Sequence, residues 1–127
     1  MASKDGKNCK KVVPSILPVA ATGNVTGVAV ALAGFEAVTA ILTATTASVG
    51  GTFKLTECAT VGGTYTDVAA ADIIGTQGVA IVEDNIVSLG YIGILGFIKA
   101  VFTHSANGVI SADIILDHAH LEPTGAN

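Results

Sequence analysis

Turn-forming residues divide this chain into short segments, and within the segments apolar and polar side chains alternate. The stretch from residue 50 to residue 75 shows the pattern most fully. Phe53 and Leu55 alternate with polar neighbours, Gly62-Gly63 favours a sharp reversal, and a second strand containing Tyr65 follows. No segment has the long 3.6-residue period of an amphipathic helix. The sequence therefore predicts an all-β fold.

Turn signals recur about every ten residues, which is the spacing of β-sandwiches. The pattern predicts eight or nine short strands, with residues 28–33 and 79–82 among them. One short helical turn is predicted near residues 68–74, with Asp67 as its cap and Gly75 as its end. We expect an antiparallel β-sandwich with jelly-roll or Greek-key connections.

Charge divides the chain into three parts: a basic arm (1–11), the sandwich domain (12–117) and a polar tail (118–127). Four lysines and one aspartate give the arm a net charge of +3, whereas two lysines and nine carboxylates give the remainder −7. An arm of this kind is typical either of a solvated terminus or of a segment that docks on an acidic surface. Without Arg or interleaved aromatic residues, it is a poor footprint for nucleic acid.

Composition points to a protein that buries part of its surface against other proteins. Half of the residues are hydrophobic, but only 13% are charged, about half of the usual charged fraction. The alternative is a small β domain with an ordinary neutral surface. A membrane span is not expected, because the most apolar stretch, residues 25–44, contains Glu36 and two glycines. Since no signal peptide is recognisable either, we expect synthesis in the cytoplasm.

Few residues suggest chemistry. His118 and His120 would lie on one face of a strand and could bind a metal together with Glu122, but two-histidine patterns are common by chance, and a polar terminus or an interface contact explains them as well. Cys9 and Cys58 could form a disulfide, which is improbable in a reducing compartment. Nothing in the sequence resembles a nucleophile elbow or a phosphate-binding loop. The chain is expected to be neither an enzyme nor a cofactor-binding protein.

Several motifs in this order resemble a family of small structural proteins of tailed bacteriophages, commonly encoded close to the capsid genes. The resemblance extends from about residue 12 to residue 120. The motifs that carry it are Gly51-Thr-Phe-Lys-Leu-Thr-Glu57, Thr64-Tyr-Thr-Asp-Val68, Asp72-Ile-Ile-Gly75 and Leu89-Gly-Tyr-Ile-Gly93. Relatives are expected to have a basic strand after the last motif. Here that strand contains Phe97 and only one lysine, Lys99, which favours an apolar contact.

The resemblance implies a head decoration or cement protein on the outer capsid surface of a virion, bound to the major capsid protein and often homotrimeric. The residues expected to bind partners are Lys4, Lys7, Lys10, Lys11, Phe97 and Lys99. A neck, tail or fibre component is the alternative within the same class. A carbohydrate-binding β-sandwich module is the alternative from another class, although the chain has no Trp to serve as a sugar platform.

Overall fold

The structure, a computed structural model, describes residues 10–45, 49–82 and 84–119. These residues form ten strands and one 3-10 turn, Ala70–Asp72, which confirms the predicted all-β fold. Four of the strands contain only two residues. The strands are β1 (Lys11–Ala21), β2 (Val25–Thr26), β3 (Val30–Ala31), β4 (Phe35–Ala44), β5 (Thr52–Cys58), β6 (Thr66–Asp67), β7 (Ile73–Ile74), β8 (Asn85–Tyr91), β9 (Phe97–Thr103) and β10 (Gly108–Ala119).

The strands form two antiparallel sheets. Sheet A has the order β1-β10-β4-β8-β7, and sheet B has the order β2-β9-β5-β6, with β3 also paired to β9. Most neighbouring strands are far apart in the sequence, as Greek-key connections require. The inner faces of both sheets contribute to one hydrophobic core, so that the architecture is the expected sandwich.

Alternation along the longest strands determines which face is buried. In β4 the buried residues are Val38, Ala40, Leu42 and Ala44, and in β9 they are Ile98, Ala100 and Phe102. Successive side chains of a strand point to opposite faces, so the residues between the buried ones point outward. The rings of Phe53 and Phe102 pack with centroids 5.0 Å apart at 53°, a tilted geometry that aromatic pairs favour.

A buried serine connects β1 with sheet B. The Ser15 hydroxyl donates to the Val28 carbonyl (2.9 Å) and accepts the Ala100 amide (3.0 Å). The Gly27 amide donates to the Ala100 carbonyl at 2.7 Å, and a Cβ at Gly27 would lie only 2.7 Å from the Ser15 carbonyl oxygen. This site therefore requires both a short hydroxyl side chain and a residue without Cβ.

Two predicted strands are wrong. Residues 28–33 do not form one strand, because the Val28 amide donates to the Ser15 carbonyl (2.8 Å) and only two short segments, β2 and β3, pair with β9. Residues 79–82 form no strand either. Ile81 is buried there, and its backbone exchanges hydrogen bonds with Gly50 and Gly51 in a loop contact.

The turn chemistry between β5 and the 3-10 turn also differs from the prediction. Gly62 and Gly63 do not adopt positive φ. A Cβ at Gly63 would instead approach Cys58 Sγ at 2.5 Å, so close packing explains this glycine. Asp67 does not cap the 3-10 turn: Ala69 precedes it without a side-chain bond, and the Asp67 carboxylate pairs with Lys54.

Candidate protein-docking surface

Phe97 and Lys99 lie on the outer face of sheet B. They alternate along β9 with the buried residues Ile98 and Ala100, which places both side chains on the side away from the core. Both are half-buried, since neighbouring strands and loops pack beside them. These two sequence-predicted residues therefore share one surface.

The register of β5 brings further side chains to the same surface. Cys58 lies opposite Phe97, and the Lys99 ammonium lies 4.2 Å from the centroid of the Tyr65 ring. Lys54 projects from the same face of β5, with Nζ 2.9 Å from Asp67 Oδ1. We call this set, Lys54, Cys58, Tyr65, Phe97 and Lys99, the docking face.

Contacts within the protein fix the side chains of the docking face in position. The Tyr65 hydroxyl donates to the Val61 carbonyl at 3.0 Å, which fixes the ring beneath the Lys99 ammonium. The ring quadrupole attracts the ammonium in such a cation–π contact. Desolvation raises the pKa of the Tyr65 phenol, and Cys58 acts in the same direction. A prearranged aromatic and cationic surface loses little side-chain entropy on binding.

Behind the docking face, a hydrogen bond between Tyr91 and Glu57 joins the two sheets. Tyr91, from β8 of sheet A, is 5% exposed and donates its hydroxyl proton to Glu57 Oε1 on β5 at 2.7 Å. The same hydroxyl accepts the Leu95 amide at 3.2 Å. Desolvation first, and then the bond to Glu57, raise the pKa of Tyr91 to about 12.

Replacing Tyr91 with Phe is expected to lower the free energy of unfolding by about 1–3 kcal/mol, because Glu57 and the Leu95 amide lose their partner. The pKa in the folded state lies above the unfolded value of about 10, so this contribution is present below pH 10 and lost as the pH rises towards about 12. Denaturant unfolding at a series of pH values measures both effects.

Tyr65→Phe is the matched control, because it removes the only other phenol, whose hydroxyl meets a single exposed carbonyl. We expect the alkaline loss of stability to be smaller in Tyr91→Phe than in the wild type and to persist in Tyr65→Phe. Equal losses in both variants would contradict the role assigned to the Tyr91–Glu57 bond.

Of the predicted arm lysines, the two that the structure describes, Lys10 and Lys11, are not part of the docking face. Lys10 and Lys11 lie at the start of β1, an edge strand of the other sheet, and Lys10 Nζ is 3.2 Å from Asp117 Oδ2 of β10. Lys4 and Lys7 lie outside the described residues. The four described residues of the proposed partner-binding set thus lie on two different sheets.

The outer face of sheet A is the second surface. It carries few charges: Asp113 near its middle, the Lys10–Asp117 pair at one end, and Asp84 beside Thr43 and Ile86 at the other end. The central aliphatic residues are half-buried, and the peripheral ones are exposed. We call this surface the aliphatic face; its residues are Val12, Pro14, Ala37, Thr39, Ile41, Thr43, Ile74, Ile86, Ser88, Gly90, Val109, Ser111, Asp113, Ile115 and Asp117.

The other sequence-predicted sites are only partly within the described residues. His120, Glu122 and Cys9 lie outside them, as does the side chain of His118. Among the side chains that the structure does describe, no group of three or more His, Cys, Asp or Glu residues could hold a metal ion. Within the same ranges, no helix is long and apolar enough to cross a membrane.

An apolar cavity of about 230 Å³ opens between the sheets beside residues 76–79. Its lining contains no titratable side chain; the residues are Leu42, Phe53, Thr76, Gln77, Gly78, Val79, Ile81, Val87 and Leu89. The amide of Gln77 bonds within the fold, to the Leu55 amide (2.9 Å) and the Val68 carbonyl (3.1 Å). The Gln77 side chain of this cavity therefore serves the fold.

Sequence reasoning missed Lys54, Cys58 and Tyr65 as members of the docking face. Alternation indicated that Lys54 points away from the core side of β5, and that Phe97 and Lys99 share a side of β9. It could not show that β5 and β9 are neighbours with Cys58 opposite Phe97, because register between distant strands depends on the whole fold.

No protein-family model and no curated protein sequence matches this chain.

Proposed function

We propose that the protein is a non-enzymatic structural component of a virion, a decoration protein that attaches to the outer surface of the major capsid shell through its docking face. The observation that carries the proposal is the prearranged cluster of Tyr65, Phe97 and Lys99 on a rigid sheet. The resemblance to small phage structural proteins supplies the class of partner. Localisation on the virion, after synthesis in the host cytoplasm, follows from the same proposal.

The chemistry of the docking face fits a protein surface better than a small ligand. Aromatic side chains dominate the binding energy of protein interfaces, and Phe97 is half-buried within the sheet. The two lysines, with Asp67 as the single anion beside them, favour a partner surface that is weakly acidic. Strand residues also keep their positions, so the surface changes little on binding.

A carbohydrate-binding module is less consistent with the two tyrosines. Sugar sites use open aromatic ring faces. The Lys99 ammonium covers one face of the Tyr65 ring, and Tyr91 is only 5% exposed. A neck, tail or fibre component uses the same kind of docking surface and differs in copy number rather than in chemistry.

Binding of the purified chain to empty capsid shells of the encoding phage tests the proposal. Phe97→Ala and Lys99→Met are each expected to weaken binding by roughly tenfold or more, as substitutions at interface hot spots do. Thr22→Glu, in the exposed turn after β1, changes the net charge by the same amount as Lys99→Met and is expected to leave binding unchanged. Co-sedimentation over a range of concentrations gives the affinities.

Two results would contradict the proposal. One is wild-type protein that does not co-sediment with shells, and the other is binding that Phe97→Ala and Lys99→Met leave intact. Selective binding to glycans on an array, lost in Tyr65→Ala, would instead support the carbohydrate-binding module.

A further inference from the structure

The aliphatic face leaves a large, flat and weakly charged surface on the side of the sandwich away from the docking face. Ile74, Ile86, Val12 and Val109 are between 44% and 68% exposed on it. Exposed apolar side chains spread over one sheet face mark it as a candidate interaction surface. We infer that the aliphatic face binds the aliphatic face of a second copy of this chain, forming a dimer with two-fold symmetry.

The area of the face is sufficient for such a pair. Sheet A contains strands of 11, 12, 10, 7 and 2 residues. With about 3.3 Å per residue and about 4.8 Å between strands, these strands cover roughly 700 Å². A stable interface buries about 800 Å² on each partner. The whole aliphatic face thus matches one standard interface.

One cross-strand row could lie on the two-fold axis. Val12, Ile115, Thr39 and Gly90 are register partners across β1, β10, β4 and β8. A two-fold axis in the plane of the interface places each residue of such a row against the same row of the second copy. The row contains no charge, so its self-contact is free of repulsion.

Charged residues lie on either side of that row, and the axis places the Asp113 and Asp117 carboxylates of the two copies opposite each other. Asp113 and Asp117 lie two residues before and two residues after Ile115 on β10, and Lys10 is bound to Asp117. The axis therefore places Asp113 of one copy beside the Lys10–Asp117 pair of the second copy. The Lys10 ammonium then lies between two carboxylates, and this contact occurs twice.

Side-chain sizes on β4 follow the same symmetry. Ile41 and Ala37 are equally distant from Thr39 on the axis. The symmetry places Ile41 of one copy against Ala37 of the other, and a large residue opposite a small one packs without a void. Charge and shape thus indicate the same axis, which makes a second copy the occupant.

This pairing adds to the proposed function, and its consequence for shell attachment rests on that proposal. In the pair, the two docking faces point in opposite directions, so the dimer turns one docking face towards the shell and the other away from it. A two-fold pair differs from the homotrimer that the family resemblance implies.

Sedimentation equilibrium of the full chain without shells tests the pairing, independently of any shell binding. A dimer is expected, and Ile115→Asp is expected to weaken it by at least about tenfold, since it puts two carboxylates on the axis. Val101→Asp is the matched control, because Val101 is half-buried like Ile115 but lies on the outer face of sheet B. Circular dichroism shows that each variant is folded.

A charge exchange tests the proposed geometry itself. Lys10→Glu and Asp113→Lys are each expected to weaken the dimer several-fold, and the double variant is expected to restore it towards the wild-type affinity. A wild-type chain that stays monomeric at about 100 µM, a trimer, or a double variant weaker than both single variants would overturn the inference. Shell binding that still depends on Phe97 and Lys99 would leave the proposed function standing in that case.

Discussion

Replacing Phe102 with Ala is expected to lower the free energy of unfolding by about 3–5 kcal/mol. Phe102 is fully buried near the end of β9, and its ring packs against Phe53 with centroids 5.0 Å apart. The substitution removes the apolar contact and leaves a cavity that rigid strands on both sides cannot close. For a domain of this size, such a loss is a large share of the total stability.

Phe97→Ala is the matched control for this prediction. It deletes the same group from the same strand, but on the outer face, where Phe97 is only half-buried. We expect Phe97→Ala to lower the free energy of unfolding clearly less than Phe102→Ala does, and to impair shell binding instead. Urea unfolding followed by circular dichroism measures both variants. Equal destabilisation by the two substitutions would contradict the assignment of inner and outer faces on β9.

The second large effect is expected at Gly27. An alanine there brings Cβ to 2.7 Å from the Ser15 carbonyl and 3.0 Å from the Ala100 carbonyl. Both oxygens belong to the backbone, and the Ser15 hydroxyl also lies in the path, so relief requires strands to move apart. Overpacking of this kind costs about 1–3 kcal/mol. Movement of Ser15 would also break its bonds to Val28 and Ala100.

Gly23 provides the control, since no atom lies within 4 Å of a Cβ built at this position and its φ is not positive. Gly23→Ala is expected to be neutral or to stabilise the fold by a few tenths of a kcal/mol, because alanine lowers the conformational entropy of the unfolded chain. Thermal and urea unfolding of the two alanine variants compare them directly. A Gly27→Ala variant as stable as Gly23→Ala would show that β1 does not contact sheet B as described.

Local pattern was sufficient for the strands that alternate strictly. In β10, alternation predicts that Ile110, Ala112, Ile114 and Leu116 face the core, and the sandwich buries these four residues. Residues 79–82 show why the same reasoning fails elsewhere. They are apolar like a strand, but their Ile81 backbone bonds to Gly50 and Gly51, ahead of β5, and further along that edge the Gln77 side chain accepts the Leu55 amide. A side chain that takes the place of a neighbouring strand leaves no periodic pattern in the sequence.

The docking face and the aliphatic face are harder to predict from local pattern than the strands, because both depend on tertiary structure. Lys10 and Lys99 both appeared in the sequence as cations available to a partner. The fold places them on opposite sheets and gives each a contact, Asp117 for Lys10 and the Tyr65 ring for Lys99. Low charge indicated that some surface is buried in an assembly. It could not indicate which face, because that depends on the order of strands within each sheet.

The copy number of this chain in purified particles of the phage that encodes it tests the central claim most directly. Quantitative mass spectrometry against the major capsid protein gives the ratio, and a cryo-electron microscopy map gives the location. A decoration protein is expected in very many copies on the outer head surface, with the docking face towards the shell. A handful of copies at the neck or tail, or none in the particle, would contradict the account.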